Sequence, residues 1–389
     1  MARGIESKSK SAAPGSTSSL RAANERRVLA VLRTAGDKGA HTQAELARAT
    51  GLAHATVSNI VRDLTAAGLL YTEPSSGRRG SAVRLAPGAG VVAGIDFGHS
   101  HVAVAVGDLT GRMLAEERVP AEPQGHRADL ALAADILARI DPGVGPLRQV
   151  GLGLPAPVVN NVVRSSAIFP GWEGVDARTA AEETFDAPVQ VENDANLGAL
   201  AEHRHGHGAE HGNSVFVKIA SGVGAGIIIE DELFHGADGT AGEIGHLTVD
   251  EQGPMCRCGS RGCLETYTSS EHLLRLLGSQ LPGATFPQVV TAAREGNLGA
   301  QRVIEDAGLR LGWALGSVLN LLNPGIIILG GAAAEAGELL LAPARTGLRR
   351  HALGSVAGTP IVMSELGDRA SLIGAVQLAA EGTELVPAS

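Results

Sequence analysis

EIGHLTVDEQGPMCRCGSRGCLE, residues 243–265, gathers every cysteine of the 389-residue chain, Cys256, Cys258 and Cys263, downstream of a single histidine, His246. Three thiolates and one imidazole close a tetrahedron around zinc with no open position, which is how a structural ion is held. Gly259 and Gly262 let the backbone fold tightly around it. A disulfide leaves one cysteine unpaired, and a bridge between Cys256 and Cys258 would strain a ring closed by one intervening residue. Three clustered thiols without metal would be open to oxidation. On spacing alone the other reading is incidental cysteines in a turn.

Glu243 and Glu265 bracket this cluster. A closed metal site does no chemistry, but the ring nitrogen of His246 that faces away from the ion can hydrogen-bond a ligand, with the two carboxylates as further acceptors. Polyols are read by such groups. With its ExGH element followed by CxCGxxGCxE, the stretch resembles the signature of the ROK family (repressors, open reading frames and sugar kinases).

Composition is ordinary for a globular chain, with 44% hydrophobic and 19% charged residues, and the length suggests two or three domains. The first twenty residues lack the apolar core of a signal peptide, and no long uncharged apolar span follows. A cytoplasmic protein with reduced cysteines and no membrane partner is therefore expected. Charge is unevenly distributed. Residues 1–85 carry 13 Lys and Arg against 6 Asp and Glu, a balance of +7, whereas the rest carries 19 against 35, or −16. A basic head on an acidic body points to a polyanion that only the head meets; a solvated basic face is the plainer alternative.

In the head, residues 1–18 read as a disordered tail and 19–85 as a winged helix-turn-helix. Val28, Leu29, Val31 and Leu32 recur at helical spacing up to Ala35-Gly36. Thr42 with Glu45 reads as a capping box opening a short second helix, and Thr50-Gly51-Leu52 as the turn. The third helix buries Val57, Ile60, Val61 and Leu64. It leaves His54, Thr56, Ser58, Asn59 and Arg62 outward, short polar groups suited to the major groove of double-stranded DNA. Strands at 69–73 and 82–85 frame a wing whose tip carries Arg78 and Arg79, placed for phosphates or a minor groove. A three-helix protein-interaction module is the alternative reading.

Beyond a short linker, residues 91–385 resemble a complete ROK body. The resemblance implies an α/β fold of two lobes, actin-like and ribonuclease H-like, with lobe one at about 91–200 plus 367–385 and lobe two at about 201–366. The strand ending Asp96-Phe97-Gly98-His99-Ser100 resembles the first phosphate element of sugar kinases, but His99 stands where that pattern has glycine. Gly222, Gly224 and Gly226 follow a strand as a second phosphate element would, and Gly330-Gly331 lies where the family meets adenosine. ATP is therefore the questionable ligand. Asn193 and Asp194 match the family's sugar pair, the aspartate being the base in kinases; a helix cap alone is the alternative reading. With Glu243, His246 and Glu265 they make the expected sugar site. The loop at 151–157 and Phe169-Pro170-Gly171-Trp172 resemble further family elements, with Ala156 and Ile168 departing from them.

What the resemblance implies is a sugar-responsive repressor of carbohydrate genes, acting as a homodimer or homotetramer on operator DNA with structural zinc. Two alternatives stand beside it: an ATP-dependent sugar kinase with an accessory head, using Asp194 as base, and a dimerisation scaffold with a relic pocket.

Overall fold

The computed structural model of the chain describes residues 17–34, 41–73, 81–164 and 169–386. The head comprises α1 (Thr17–Thr34), β1 (His41–Thr42), α2 (Gln43–Thr50), α3 (His54–Ala66), β2 (Leu70–Glu73) and β3 (Ala82–Leu85), with a small antiparallel sheet ordered β1-β3-β2. Helix α1 starts two residues inside the stretch read as tail, about a turn ahead of Ala22, its first buried residue among those described. Its expected end at Ala35-Gly36 lies outside the described residues. Thr42 caps α2 as anticipated: its hydroxyl accepts from Glu45 N at 3.2 Å, and Glu45 Oε2 accepts from Thr42 N at 2.7 Å. Gly51 closes the turn with φ +69°, where a Cβ would be strained.

Lobe one contains β4 (Val91–Phe97), β5 (His101–Asp108), β6 (Met113–Pro120), α4 (His126–Ile140), β7 (Leu147–Leu154), the hairpin β8 (Val158–Val159) and β9 (Val162–Val163), α5 (Ala177–Phe185), β10 (Val189–Asn193) and α6 (Asp194–His205). Its sheet runs β10-β7-β4-β5-β6, parallel through β10, β7 and β4 and antiparallel beyond. All seven β4 residues are buried, as the continuous apolar run Val91–Ile95 requires of a central strand. Lobe two contains β11 (Ser214–Ile219), β12 (Val223–Ile229), β13 (Glu232–Leu233), α7 (Glu265–Thr268), α8 (Ser270–Leu277), α9 (Phe286–Arg294), α10 (Leu298–Leu322), β14 (Ile326–Gly330), α11 (Glu338–His351) and β15 (Ile361–Met363). Its sheet, β13-β12-β11-β14-β15, repeats the same mixture of antiparallel and parallel pairs. The final helix, α12 (Ala370–Gly382), returns to pack on β4, β5 and β7 of lobe one.

The expected lobe boundary near residue 200 falls inside α6. That helix cannot be divided, since Ala195 through His203 are all buried and α6 packs on α12 as well as on β11 and β12. The small residues of α10 are used within the chain: side chains at Gly308, Gly312 or Gly347 would run into the backbone of the partner helix, so α10 and α11 lie in near-backbone contact.

Three aromatic residues of lobe one, Phe97, Phe169 and Trp172, form one nest. Trp172, fully buried, packs against Phe97 and Phe169 with ring centroids 5.5 and 5.2 Å away, and its indole N–H donates to Asp129 Oδ2 at 2.8 Å. Asp129 Oδ1 also accepts from Gln124 N. Asp129→Ala, which strands the indole N–H, is expected to cost about 1–3 kcal/mol in urea unfolding. An unchanged midpoint would show that this bond adds nothing.

Head and body share apolar packing. Val28, Leu29 and Leu32 of α1 belong to one buried cluster with Val92, Ala105, Leu372, Val376 and Ala379 of the body. Arg33 of α1 donates to the Thr383 carbonyl just beyond α12, at 2.6 Å.

Candidate functional site

The loop from η-turn Ile244–His246 to α7 is folded by its own backbone: Cys256 N donates to Ser260 O, Gly262 N to Pro254 O, and Val249 N to Gly262 O. Gly262 has φ +59°, and a Cβ there would collide with the Asp250 carbonyl. Tyr267 braces the loop, its hydroxyl donating to Asp250 Oδ2 at 2.9 Å with the Arg310 guanidinium 3.9 Å above its ring. The result brings His246, Cys256, Cys258 and Cys263 together, with all ligand atoms within 4.8 Å of one another. Cys258 Sγ and Cys263 Sγ are 3.7 Å apart, and Cys256 Sγ and His246 Nδ1 are 3.6 Å apart. Bonds of about 2.3 Å to sulfur and 2.0 Å to nitrogen make a tetrahedron whose edges are roughly 3.5–3.8 Å. The four side chains therefore fit zinc, and the sulfurs are far too distant for a disulfide. Burial pushes the Cys263 thiol up to about 12, so a bound cation is what would keep the sulfurs together as thiolates.

With Nδ1 toward the cysteines, His246 presents Nε2 to Glu243, 3.9 Å from its Oε2. Burial, with the Asp194 and Glu265 charges adding to it, pushes the Glu243 carboxyl up to about 7. Glu243 thus feels the charges of Asp194 and Glu265. Glu265 is already engaged: its Oε1 accepts from Arg257 at 2.7 Å and its Oε2 from Val223 N at 3.1 Å. Asn193 caps α6, its side-chain oxygen accepting from Ala195 N at 2.9 Å while its amide donates to Ala156 O at 3.2 Å. The helix-cap geometry therefore holds for Asn193, and it leaves Asp194 on the first turn of α6 aimed at lobe two. Beside them opens a cleft of about 370 Å³ lined by Asn160, Asn161, Glu192, His235 and Asp238. There His235 Nε2 lies 2.7 Å from Glu192 Oε2. A second cavity of similar size sits at the seam of head and body, away from all these groups, among Leu32, Tyr71, Arg84 and Leu109.

The centre between the lobes is charged. Lys218, largely buried on β11, donates from Nζ to Asp194 Oδ2 at 2.8 Å and to Ser371 Oγ of α12 at 2.9 Å. Ser371 in turn donates to the Asp194 carbonyl. Asp96, at the end of β4 and 1% exposed, has its Oδ2 3.2 Å from His101 Nε2. Burial alone would lower Lys218, but the Asp194 and Asp96 charges outweigh it and raise its pKa. Burial likewise opposes ionisation of Asp96, yet Lys218, His101 and Arg118 hold its carboxyl below the ordinary range. Asp194 is raised, by burial and then by Asp96 against the pull of Lys218.

The residues with a nucleotide reading are placed unevenly. Asp96 faces the charged centre, and Ser100 is exposed. The His101 ring lies directly against Gly98, on the side where a Cβ would stand. Gly222 sits in the tight turn between β11 and β12, its carbonyl accepting from Ala220 N. Gly224 and Gly226 lie within β12, where a Cβ at Gly226 would strike the Ala195 carbonyl of α6. Gly330 backs onto the Phe216 ring, and Gly331, with φ +73°, onto Ile219. Close packing accounts for Gly226, Gly330 and Gly331.

In the head, α3 buries Val57, Ile60, Val61 and Leu64 and leaves His54, Asn59 and Arg62 exposed, with Thr56 and Ser58 half-buried. Arg62 pairs with Asp63 at 3.1 Å, both groups remaining open to water. Arg78 and Arg79, like Ile168, lie outside the described residues. Sequence reading missed Lys218, His101, Ser371 and Arg257; a lone charge in the apolar strand Val215–Ile219 was the visible mark of the first.

The ROK family pattern matches residues 92–382, and the MarR family pattern matches 21–79. The chain is 28% identical to the xylose repressor of Bacillus subtilis (strain 168) over 342 residues, 86% of this chain and 89% of that protein. It is 30% identical to the glucokinase of Streptomyces coelicolor over 318 residues, 75% of this chain and 98% of the other. Among solved structures, a ROK family transcriptional regulator described as a homolog of the E. coli MLC protein superposes with TM-score 0.78 at 24% identity, covering 92% of this chain and 96% of that one. A ROK glucokinase from Streptomyces griseus, in complex with glucose and AMPPNP, superposes with TM-score 0.68 at 30% identity over 75% of this chain and 100% of that one.

Proposed function

This chain belongs to the ROK family and carries a MarR-family helix-turn-helix head, and from that premise we propose that it is a cytoplasmic, sequence-specific repressor of carbohydrate genes, released from or retained on its operator by a sugar bound between the lobes. The observation that carries this reading is α12. Near its first turn, Ser371 touches Lys218 and the backbone of Asp194; just past its last turn, the Thr383 carbonyl holds Arg33 of the head. One rigid element thus reaches both the sugar-side centre and the DNA-binding head. A ligand that favours one setting of α12 shifts the head only by its differential affinity for the two settings, about 1–3 kcal/mol in typical cases. Two heads on a homodimer turn that shift into a change of half-site spacing.

The xylose repressor of Bacillus subtilis aligns with 86% of the chain, whereas the glucokinase of Streptomyces coelicolor aligns with 75%. The alternative reading, a kinase with an accessory head, draws on the retained Asp194. Against it stands the ammonium of Lys218 on Asp194.

Footprinting on the DNA upstream of the protein's own gene, with and without D-xylose, D-glucose and a panel of other sugars and sugar phosphates, tests the proposal. One compound is expected to change operator affinity by roughly 5–150-fold. Protection indifferent to every compound would sink sugar control. Arg78→Ala with Arg79→Ala is expected to weaken binding and to reduce the salt slope by about 2 in the same assay. An unchanged slope would remove the wing from the interface.

A further inference from the structure

Two carboxylates of lobe one, Asp96 near the end of β4 and Asp194 at the start of α6, face the space between the lobes, where Lys218 of lobe two reaches Asp194. Asp96 is 1% exposed, and its Oδ1 has no hydrogen-bond partner among the described residues. Two buried acids on one cleft repel each other and demand a cation. Chains that bring carboxylates together in this way commonly recruit a hard divalent ion, which takes oxygen ligands from both. Here the chain supplies its own. Lys218 breaks the apolar run of β11, reaches Asp194 at 2.8 Å, and is drawn electrostatically to both acids.

We infer that Lys218 is the built-in counter-ion of the Asp96–Asp194 pair, occupying the position in which a divalent cation would otherwise bridge the two carboxylates, and that it thereby makes this body a binding site closed to metal-assisted phosphoryl transfer. Two consequences follow from the geometry. Asp194 Oδ2 accepts a charge-assisted bond from Lys218, which favours the carboxylate and so opposes its taking a proton from a hydroxyl. A divalent ion entering the centre meets a resident ammonium, so metal and Lys218 exclude each other. The groups facing the pair are Lys218 of β11, Glu243, His101 of β5 and Arg118 of β6. Arg118 is itself committed to Asp368. The remaining role for Asp194 is that of a fixed acceptor for a ligand hydroxyl.

The test uses the full chain carrying zinc and Mn²⁺ as the probe, read by quenching of the free-ion electron paramagnetic resonance signal. Mn²⁺ prefers oxygen ligands over the thiolate cluster, and zinc content measured alongside shows that the cysteines are not its site. Lys218→Met is expected to bind one Mn²⁺ per chain roughly tenfold or more tighter than the wild type, and Lys218→Met with Asp194→Asn to lose that gain. Equal affinity of wild type and Lys218→Met, or a gain that survives Asp194→Asn, would overturn the inference and reduce Lys218 to an interlobe strut. If Lys218→Met alone does not fold, millimolar Mn²⁺ or Mg²⁺ is expected to restore its melting transition, and failure of that rescue overturns the inference equally. No arm involves sugar or DNA, so this result and the fate of the repressor reading are separable.

Discussion

Cys263→Ser is expected to empty the metal site, bringing bound zinc from one ion per chain to a small fraction of that, and to abolish any response to sugar. Cys263 is wholly buried, and its sulfur lies 3.7 Å from Cys258 Sγ. A hydroxyl replacing a thiolate removes both a charge and a soft ligand from a four-ligand site. Changing groups that merely orient such ligands costs about 10–100-fold in metal affinity, so losing a ligand should cost more than ~100-fold. The effect should be local and directional. Without the ion, nothing fixes the Nε2 side of His246 toward Glu243, and the loop ahead of Glu265 loses its anchor. Metal analysis together with the sugar footprint checks this. Full zinc content in the variant would show that three ligands suffice; a preserved sugar response without zinc would separate the ion from the sugar-side groups.

Gly151→Ala is expected to destabilise the body severely for a single added methyl group. A Cβ on Gly151, in β7, would fall on the Ala375 carbonyl of α12, and one on Gly94 of β4 would fall 2.6 Å from Val376 N. On the other side of α12, a side chain at Gly374 would meet the Leu197 carbonyl of α6. The helix therefore rests backbone to backbone on sheet and helix, with no flexible side chain to yield. Overpacking in cores costs about 1–3 kcal/mol where side chains can shift, and a backbone collision puts this case at or above the upper end. Because α12 carries Ser371 at one end and is followed by Thr383 at the other, its displacement should also loosen Lys218 and Arg33. Urea unfolding and operator affinity measured together test this. A loss of stability with full sugar control would disconnect α12 from signalling, and unchanged stability would mean the sheet yields more readily than its packing implies.

The legible parts of this protein are those closed within a short run of chain. The Cys3His cluster that fits zinc spans His246 to Cys263 and is gathered by hydrogen bonds inside that loop. Thr42 and Glu45 satisfy each other three residues apart, and β4, with every residue buried, announces itself by an unbroken apolar run. The glycines were visible but their reasons were not: Gly226 and Gly330 look like phosphate-loop residues, and each instead admits a helix or a phenyl ring. Asn193 read as both cap and sugar ligand, and only its filled hydrogen bonds show how much of it the cap uses.

Sequence alone determined the winged head, the metal tetrad, the paired acids Glu243 and Glu265, and the family to which they point, since each depends on residue type and spacing over one turn or loop. Tertiary structure alone decided that Lys218 meets Asp194 across 24 positions, that Ser371 joins them from 153 positions beyond Lys218, and that Arg33 closes on Thr383 across 350. Such meetings depend on sheet register and on how closely α12 docks. A register is fixed by the summed packing of whole strands, and no local pattern in the chain carries that sum.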